Sequence, residues 1–87
     1  MTDDELIEKY IWLPEPTTWP AEARIKGHGQ HIWALVGFGQ SVNNDPAQIA
    51  AGYNLPIEAA RAAIAYYQRY QAIFDYRLAE NASYFER

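Results

Sequence analysis

The sequence predicts a mainly α-helical domain with a three-helix core that contains a helix-turn-helix, a short β-hairpin, an N-terminal helical arm and a long C-terminal helix. Apolar residues recur at helical spacing, and proline and asparagine stand where helices would begin and end. The 87 residues, 49% of them apolar, suffice for one small core only. We therefore divide the chain into an acidic arm, residues 1–22, and a single helix-turn-helix-like domain, residues 23–87.

The arm begins with Thr2-Asp3-Asp4-Glu5, a pattern typical of a helix start because the first and last of these residues can cap one another. Apolar residues at helical spacing continue to about Leu13, where the following prolines end the helix. A proline-rich linker leads to the domain. Because Trp12 and Trp19 are too large and apolar to remain in water, we expect the arm to pack on the body or on a partner subunit.

The next two segments predict a hairpin and a short buried element. Residues 24–32 alternate between polar and apolar around Gly27-His28-Gly29, which is typical of a β-hairpin. The apolar stretch from Trp33 to Phe38 suits a short buried helix, with a strand as the open alternative.

The helix-turn-helix is predicted over Pro46 to Ile64. Asn44-Asp45-Pro46 caps and starts a first helix. Asn54 stands where a tight turn requires a left-handed backbone, and Pro56 starts a second helix. No breaker follows up to the chain end, so a long helix is predicted, of which Ile57 to Ala79 would span about 34 Å at 1.5 Å per residue.

That length outruns a three-helix body, so we expect the far half of the helix to contact the arm or another subunit. A chain this small without cysteines gains burial by self-association, which predicts a homodimer. The residues expected at the dimer or partner interface are Trp12, Trp19, Tyr66, Tyr70, Ile73 and Phe74.

The charge lies mainly in the arm. The chain has 7 basic and 11 acidic residues, a net charge of −4, and residues 1–22 hold six of the acids against Lys9 alone. The overall field therefore opposes binding to nucleic acid. No apolar run is long enough to span a membrane and the N-terminus is acidic, which favours a cytoplasmic location.

If the second helix enters a major groove, its outward side chains would be Ile57, Glu58, Arg61, Ala62 and Ala65, followed by Gln68 and Arg69. Arg61 and Gln68 have the donors that recognise base edges, and the basic hairpin could contact phosphates. The alternatives are a pair of packed helices that never touches DNA and a solvated hairpin. The candidate DNA-binding residues are Arg24, Lys26, His28, Asn54, Glu58, Arg61 and Gln68.

Other chemistry is not indicated. His28 and His31 could ligate a metal, but no third ligand lies near them in sequence. The glycines of the hairpin and of residues 37–39 lack the context of a phosphate loop or a dinucleotide site. Without a catalytic constellation, we expect no enzymatic activity, no metal and no cofactor.

Three blocks carry a family resemblance over residues 24–67, half of the chain. They are Ile25-x-Gly27 with Ile32-Trp33, then Ile49-Ala50-x-x-Tyr53-x-Leu55, and finally Arg61-Ala62-Ala63-Ile64-Ala65-Tyr66-Tyr67. In these blocks the sequence resembles the DUF433 family, small bacterial proteins grouped with VapB-type antitoxins. The resemblance implies a homeodomain-like helix-turn-helix. The chain departs from the family pattern at Gly29, where the family usually has Arg, and at His31, where it usually has Pro.

Two functions follow as expectations. The first is a dimeric, antitoxin-like helix-turn-helix protein that binds operator DNA as a transcriptional autoregulator and neutralises a cognate toxin, such as a PIN-type ribonuclease. The alternative is a protein–protein interaction module without DNA binding, in which the acidic arm and the tyrosine-rich helix bind a basic partner.

Overall fold

The computed structural model describes residues 2–85, with side chains for residues 2–80. The predicted mainly α fold class, with a small antiparallel ribbon, is confirmed. The elements are α1 (Asp3–Tyr10), β1 (Ile11–Trp12), a 3-10 turn (Pro20–Glu22), β2 (Arg24–Ile25), α2 (Ile32–Ser41), α3 (Pro46–Tyr53), α4 (Ile57–Arg69) and α5 (Gln71–Phe85).

Helix α1 has the predicted start but ends before the prolines. The Thr2 and Glu5 side chains cap one another's backbone N–H groups. These hydrogen bonds to Thr2 hold the pKa of the Glu5 carboxyl below its usual value. The helix ends at Tyr10 because Ile11 takes an extended conformation and pairs with β2, so the predicted end near Leu13 is wrong.

The ribbon differs from the predicted hairpin. The turn at Gly27 and Gly29 is present, with φ of 76° and 83°, and Arg24 forms a bridge to His31. The paired strands, however, are β1 and β2, in the register Ile11↔Ile25 and Trp12↔Arg24. The arm therefore supplies a strand that alternation alone did not reveal, and the pairing places Ile11 and Ile25 together in the core.

Helices α2, α3 and α4 form the predicted helix-turn-helix core. The segment from Trp33 to Phe38 is helical, which decides between the two alternatives for it. Asp45 caps α3 through the Ala47 N–H. Asn54 has φ 56° and ψ 51°, the left-handed conformation that the turn requires. Leu55 then lies buried between α3 and α4.

The predicted continuous C-terminal helix is wrong, because the chain breaks at Tyr70 into α4 and α5. Tyr70 has φ −124° and ψ 39°, and α5 turns to pack against α2 and the 3-10 turn. Phe74 is fully buried and contacts the rings of Tyr66 and Tyr67. No glycine or proline interrupts the helix near Tyr70. We therefore attribute the break to the burial of Phe74 in the core of its own chain.

Helix α4 lies at the centre of the molecule. Ala59, Ala60, Ala62 and Ala63 are all buried, and their small side chains allow neighbouring helices to approach closely. Helix α1 packs along α4 through Leu6, and residues of the arm join the same core cluster as the body. Ala62 and Ala65 are therefore buried, and their predicted outward position is wrong.

Candidate functional site

The surface that α4 leaves exposed is narrow, and apart from Arg69 at its end it follows one row of residues. Ile57, Arg61 and Gln68 are exposed and Ile64 is half-buried, a single row at steps of three and four residues. Helix α1 covers one flank of α4 and α3 covers another. A recognition helix needs several neighbouring side chains in the groove, so this row offers only Arg61 and Gln68 for contact with base edges.

A cleft of about 390 Å³ lies beside this row and brings Arg61 and Gln68 together. Asp3 of α1 is part of its wall, so an acidic residue lines the same cleft as the two side chains expected to meet DNA. Phosphates approaching Arg61 along this side would meet that negative charge. The lining residues are Asp3, Leu6, Asn44, Pro46, Arg61, Ile64, Ala65 and Gln68.

An ion pair holds the acidic helix against the end of α4. The Arg69 guanidinium donates to the Asp4 carboxylate, and this is the single ion pair within residues 2–80. The hydrogen bond to Asp4 raises the pKa of Arg69. Arg69 is thereby engaged by α1.

The candidate phosphate contacts in the ribbon are dispersed. The Lys26 ammonium donates to the Glu8 carbonyl oxygen at 2.6 Å, which ties the turn to α1. His28 is exposed at the turn. Arg24 lies instead beside His31, away from the lining of the Arg61 cleft.

The two remaining candidates have other surroundings. Asn54 is exposed and forms the left-handed turn between α3 and α4. Glu58 is half-buried in the first turn of α4, and within residues 2–80 it forms no ion pair with Arg61. Neither residue lines the cleft that holds Arg61 and Gln68.

A second constellation, which the spacing in sequence did not reveal, joins four half-buried side chains. We call Arg24, His31, Trp33 and Arg77 the arginine–tryptophan patch. The His31 and Trp33 rings are 5.4 Å apart, and the Arg77 guanidinium lies 5.2 Å from the centroid of the Trp33 ring. No sequence pattern links Arg24 to Arg77, because the patch forms only when α5 turns back at Tyr70.

The patch disfavours the protonated form of its histidine. Partial burial lowers the pKa of His31 and the Arg24 and Arg77 charges lower it further, while Glu22 acts in the opposite direction. His31 is therefore mainly neutral near pH 7, and the charge of the patch resides on its two guanidinium groups.

The expected interface residues separate into three environments. Trp12 and Trp19 are exposed by 47% and 36% of their surface. Tyr70 and Ile73 are half-buried. Tyr66 and Phe74 are core residues, so their placement at an intersubunit surface is wrong. Tyr76, at 63%, is an exposed aromatic that the helical pattern did not single out.

No family model, no curated protein and no solved structure matches this chain. The resemblance to the DUF433 family therefore remains a prediction. Over the described residues, no three His, Asp or Glu side chains cluster as metal ligands do, and no helix is long and apolar enough to cross a bilayer.

Proposed function

We propose that this chain is an antitoxin-like helix-turn-helix protein that acts chiefly by binding a basic partner protein. The observation that carries the proposal is the position of α1 on α4. Leu6 anchors α1 to the core, while Asp3, Asp4, Glu5 and Glu8 are exposed. This face carries the charge that complements a nucleic-acid-binding cleft, and it flanks the row that would otherwise contact DNA.

The partner class follows from charge and from the resemblance. A ribonuclease binds an anionic substrate, so its cleft is basic and an acidic helix can occupy it. The antitoxin-like blocks of the sequence favour a PIN-type ribonuclease, encoded next to this chain, as the partner. Two exposed tryptophans, Trp12 and Trp19, add apolar surface outside the acidic face.

Co-purification with the product of the neighbouring reading frame, followed by a ribonuclease inhibition assay, tests this proposal. The double variant Asp3→Asn/Glu8→Gln removes two exposed charges from α1, and we expect it to inhibit at least tenfold less well at low salt. Glu15→Gln, a change to an exposed acid in the linker, is the matched control and should inhibit as wild type does. Equal inhibition by all three proteins would contradict the role of α1.

Operator-DNA binding through α4 is the second candidate, because the α3–Asn54–α4 geometry is that of a helix-turn-helix. Here Arg61 would contact a base edge, and Arg61→Ala would cost about 1–3 kcal/mol of binding free energy. Mobility shifts with the chain's own promoter fragment at several salt concentrations measure this cost. Lys9→Ala, on an exposed position of α1, serves as the control. If Arg61→Ala binds as tightly as wild type, α4 is not the DNA-reading element.

A further inference from the structure

The arginine–tryptophan patch gathers polar atoms that lack partners. Within residues 2–80, the buried side-chain nitrogen and oxygen atoms without a hydrogen bond belong to Arg24, Gln30, His31, Trp33 and Arg77. All but Gln30 are patch residues, and Gln30 precedes His31. Buried polar groups are rarely left unpaired in native proteins, because each has lost its hydrogen bonds to water without replacement. Their collection at one place shows that donor groups gather in the patch without acceptors from the chain.

The unpaired atoms are mostly hydrogen-bond donors. They include the Nε atoms of Arg24 and Arg77 and the indole Nε1 of Trp33, each of which carries a hydrogen. His31 contributes Nδ1, which becomes a donor on protonation. Because these atoms are themselves shielded from solvent, a ligand would meet the outer nitrogens of the two half-buried guanidinium groups, and it must be rich in acceptor oxygens.

The charge around these donors also favours a ligand that is rich in oxygen atoms and negatively charged. Within residues 2–80, no carboxylate lies within 4.0 Å of either patch arginine, since the single ion pair there is Arg69–Asp4. Glu22 is the acidic group close enough to influence His31. Helix α2 begins at Ile32, so the positive end of its dipole adjoins His31. Two guanidinium groups and a helix start thus form a positive site on a chain whose net charge is −4.

We propose that the arginine–tryptophan patch binds a phosphate group, either as inorganic phosphate or as the phosphate of a small monoester such as a nucleoside monophosphate. Phosphate supplies three or more acceptor oxygens and suits the planar fork of arginine. Trp12 pairs with Arg24 in the ribbon and is half-exposed, so its ring is available to stack on an attached base. This site is separate from the acidic α1 face of the proposed function and does not depend on it.

Nuclear magnetic resonance of the three indole N–H groups tests the proposal on the whole chain. We expect titration with inorganic phosphate, at ionic strength held constant with potassium chloride, to shift the Trp33 indole resonance saturably while the Trp19 resonance stays fixed. Adenosine monophosphate is titrated in parallel. Tighter binding of the nucleotide, together with a shift at Trp12, supports a nucleoside monophosphate; equal binding supports phosphate alone. Absence of a saturable shift at Trp33 with both ligands would overturn the proposal.

Two variants locate the site. Arg24→Gln and Arg77→Gln should each weaken phosphate binding at least tenfold, whereas Lys9→Gln, which removes an exposed positive charge from α1, should leave it unchanged. Equal weakening by all three substitutions would indicate a general charge effect and would refute the site.

A titration of the wild-type histidines gives a readout that does not depend on folded variants. Arg24 from β2, Arg77 from α5 and Glu22 from the 3-10 turn are the charged groups that act on His31. Bound phosphate would offset the two positive charges, so we expect it to raise the pKa of His31. A His31 pKa that is the same with and without phosphate would contradict the proposal.

Discussion

Single asparagines determine where the chain reverses. Positive φ occurs at three asparagines, Asn43, Asn44 and Asn54. Residues other than glycine and asparagine rarely adopt this backbone conformation. The first two lie between the end of α2 at Ser41 and the Asp45 cap of α3, and the third joins α3 to α4. The helix-turn-helix could be predicted from the sequence because such residues encode its turn locally.

The Asn54 turn gives a prediction at the residue scale. Asn54→Ala forces an alanine into the left-handed region, and we expect a loss of about 1–2 kcal/mol in the free energy of unfolding. Asn54→Gly adopts the same backbone without that strain, and it should change the free energy by less than about 1 kcal/mol. Urea denaturation followed by circular dichroism measures both. Equal losses for the two variants would contradict a conformational role for Asn54.

At the scale of elements, the helix boundaries that the sequence predicts well are those marked by local chemistry. Asp45 with Pro46 starts α3, and Thr2 with Glu5 caps α1, as expected. The break at Tyr70 and the position of α1 on α4 could not be predicted from spacing, because each depends on residues far apart in the chain. The same holds for the arginine–tryptophan patch, which requires α5 to pack beside α2.

Within residues 71–80, Phe74 is the side chain of α5 that is buried in the core. Phe74 is fully buried, so Phe74→Ala should lower the free energy of unfolding by about 3–5 kcal/mol, much of the stability of a small domain. Tyr76→Ala, two residues away and 63% exposed, is the matched control and should stay within about 0.5 kcal/mol of wild type. Thermal and urea unfolding decide the matter; similar effects of the two changes would show that α5 does not pack as described.

At the scale of the whole molecule, the case for a homodimer has changed. A helix too long for one subunit was one of its two arguments, and that helix folds back within the chain. The small size of the cysteine-free chain and the exposed Trp12 and Trp19 now carry the expectation. Gel filtration at micromolar concentration checks it, because a dimer elutes at twice the 10.0 kDa of the chain. Elution of the wild type at 10.0 kDa would refute the dimer.

The whole fold should also lose stability in alkali, and Tyr66 gives the reason. Its burial between α4 and α5, reinforced by neighbouring Tyr70, raises the pKa of the Tyr66 phenol. A hydrogen bond to Asp75 likewise raises the pKa of Tyr67. Above the unfolded value of about 10, the unfolded chain releases these protons before the folded chain does. The contribution of these two tyrosines to the free energy of unfolding is then fully present below about pH 10. It is lost as the pH rises through their pKa values in the folded chain.

Urea midpoints at a series of pH values from about 8 to 11 measure this dependence, with tyrosinate absorbance followed in parallel. Tyr66→Phe retains the buried ring but removes one group that titrates late. We therefore expect the variant to lose stability less steeply than wild type above about pH 10, while it unfolds as cooperatively at neutral pH. A slope equal to that of wild type would mean that the Tyr66 hydroxyl ionises as readily in the folded chain as in the unfolded one.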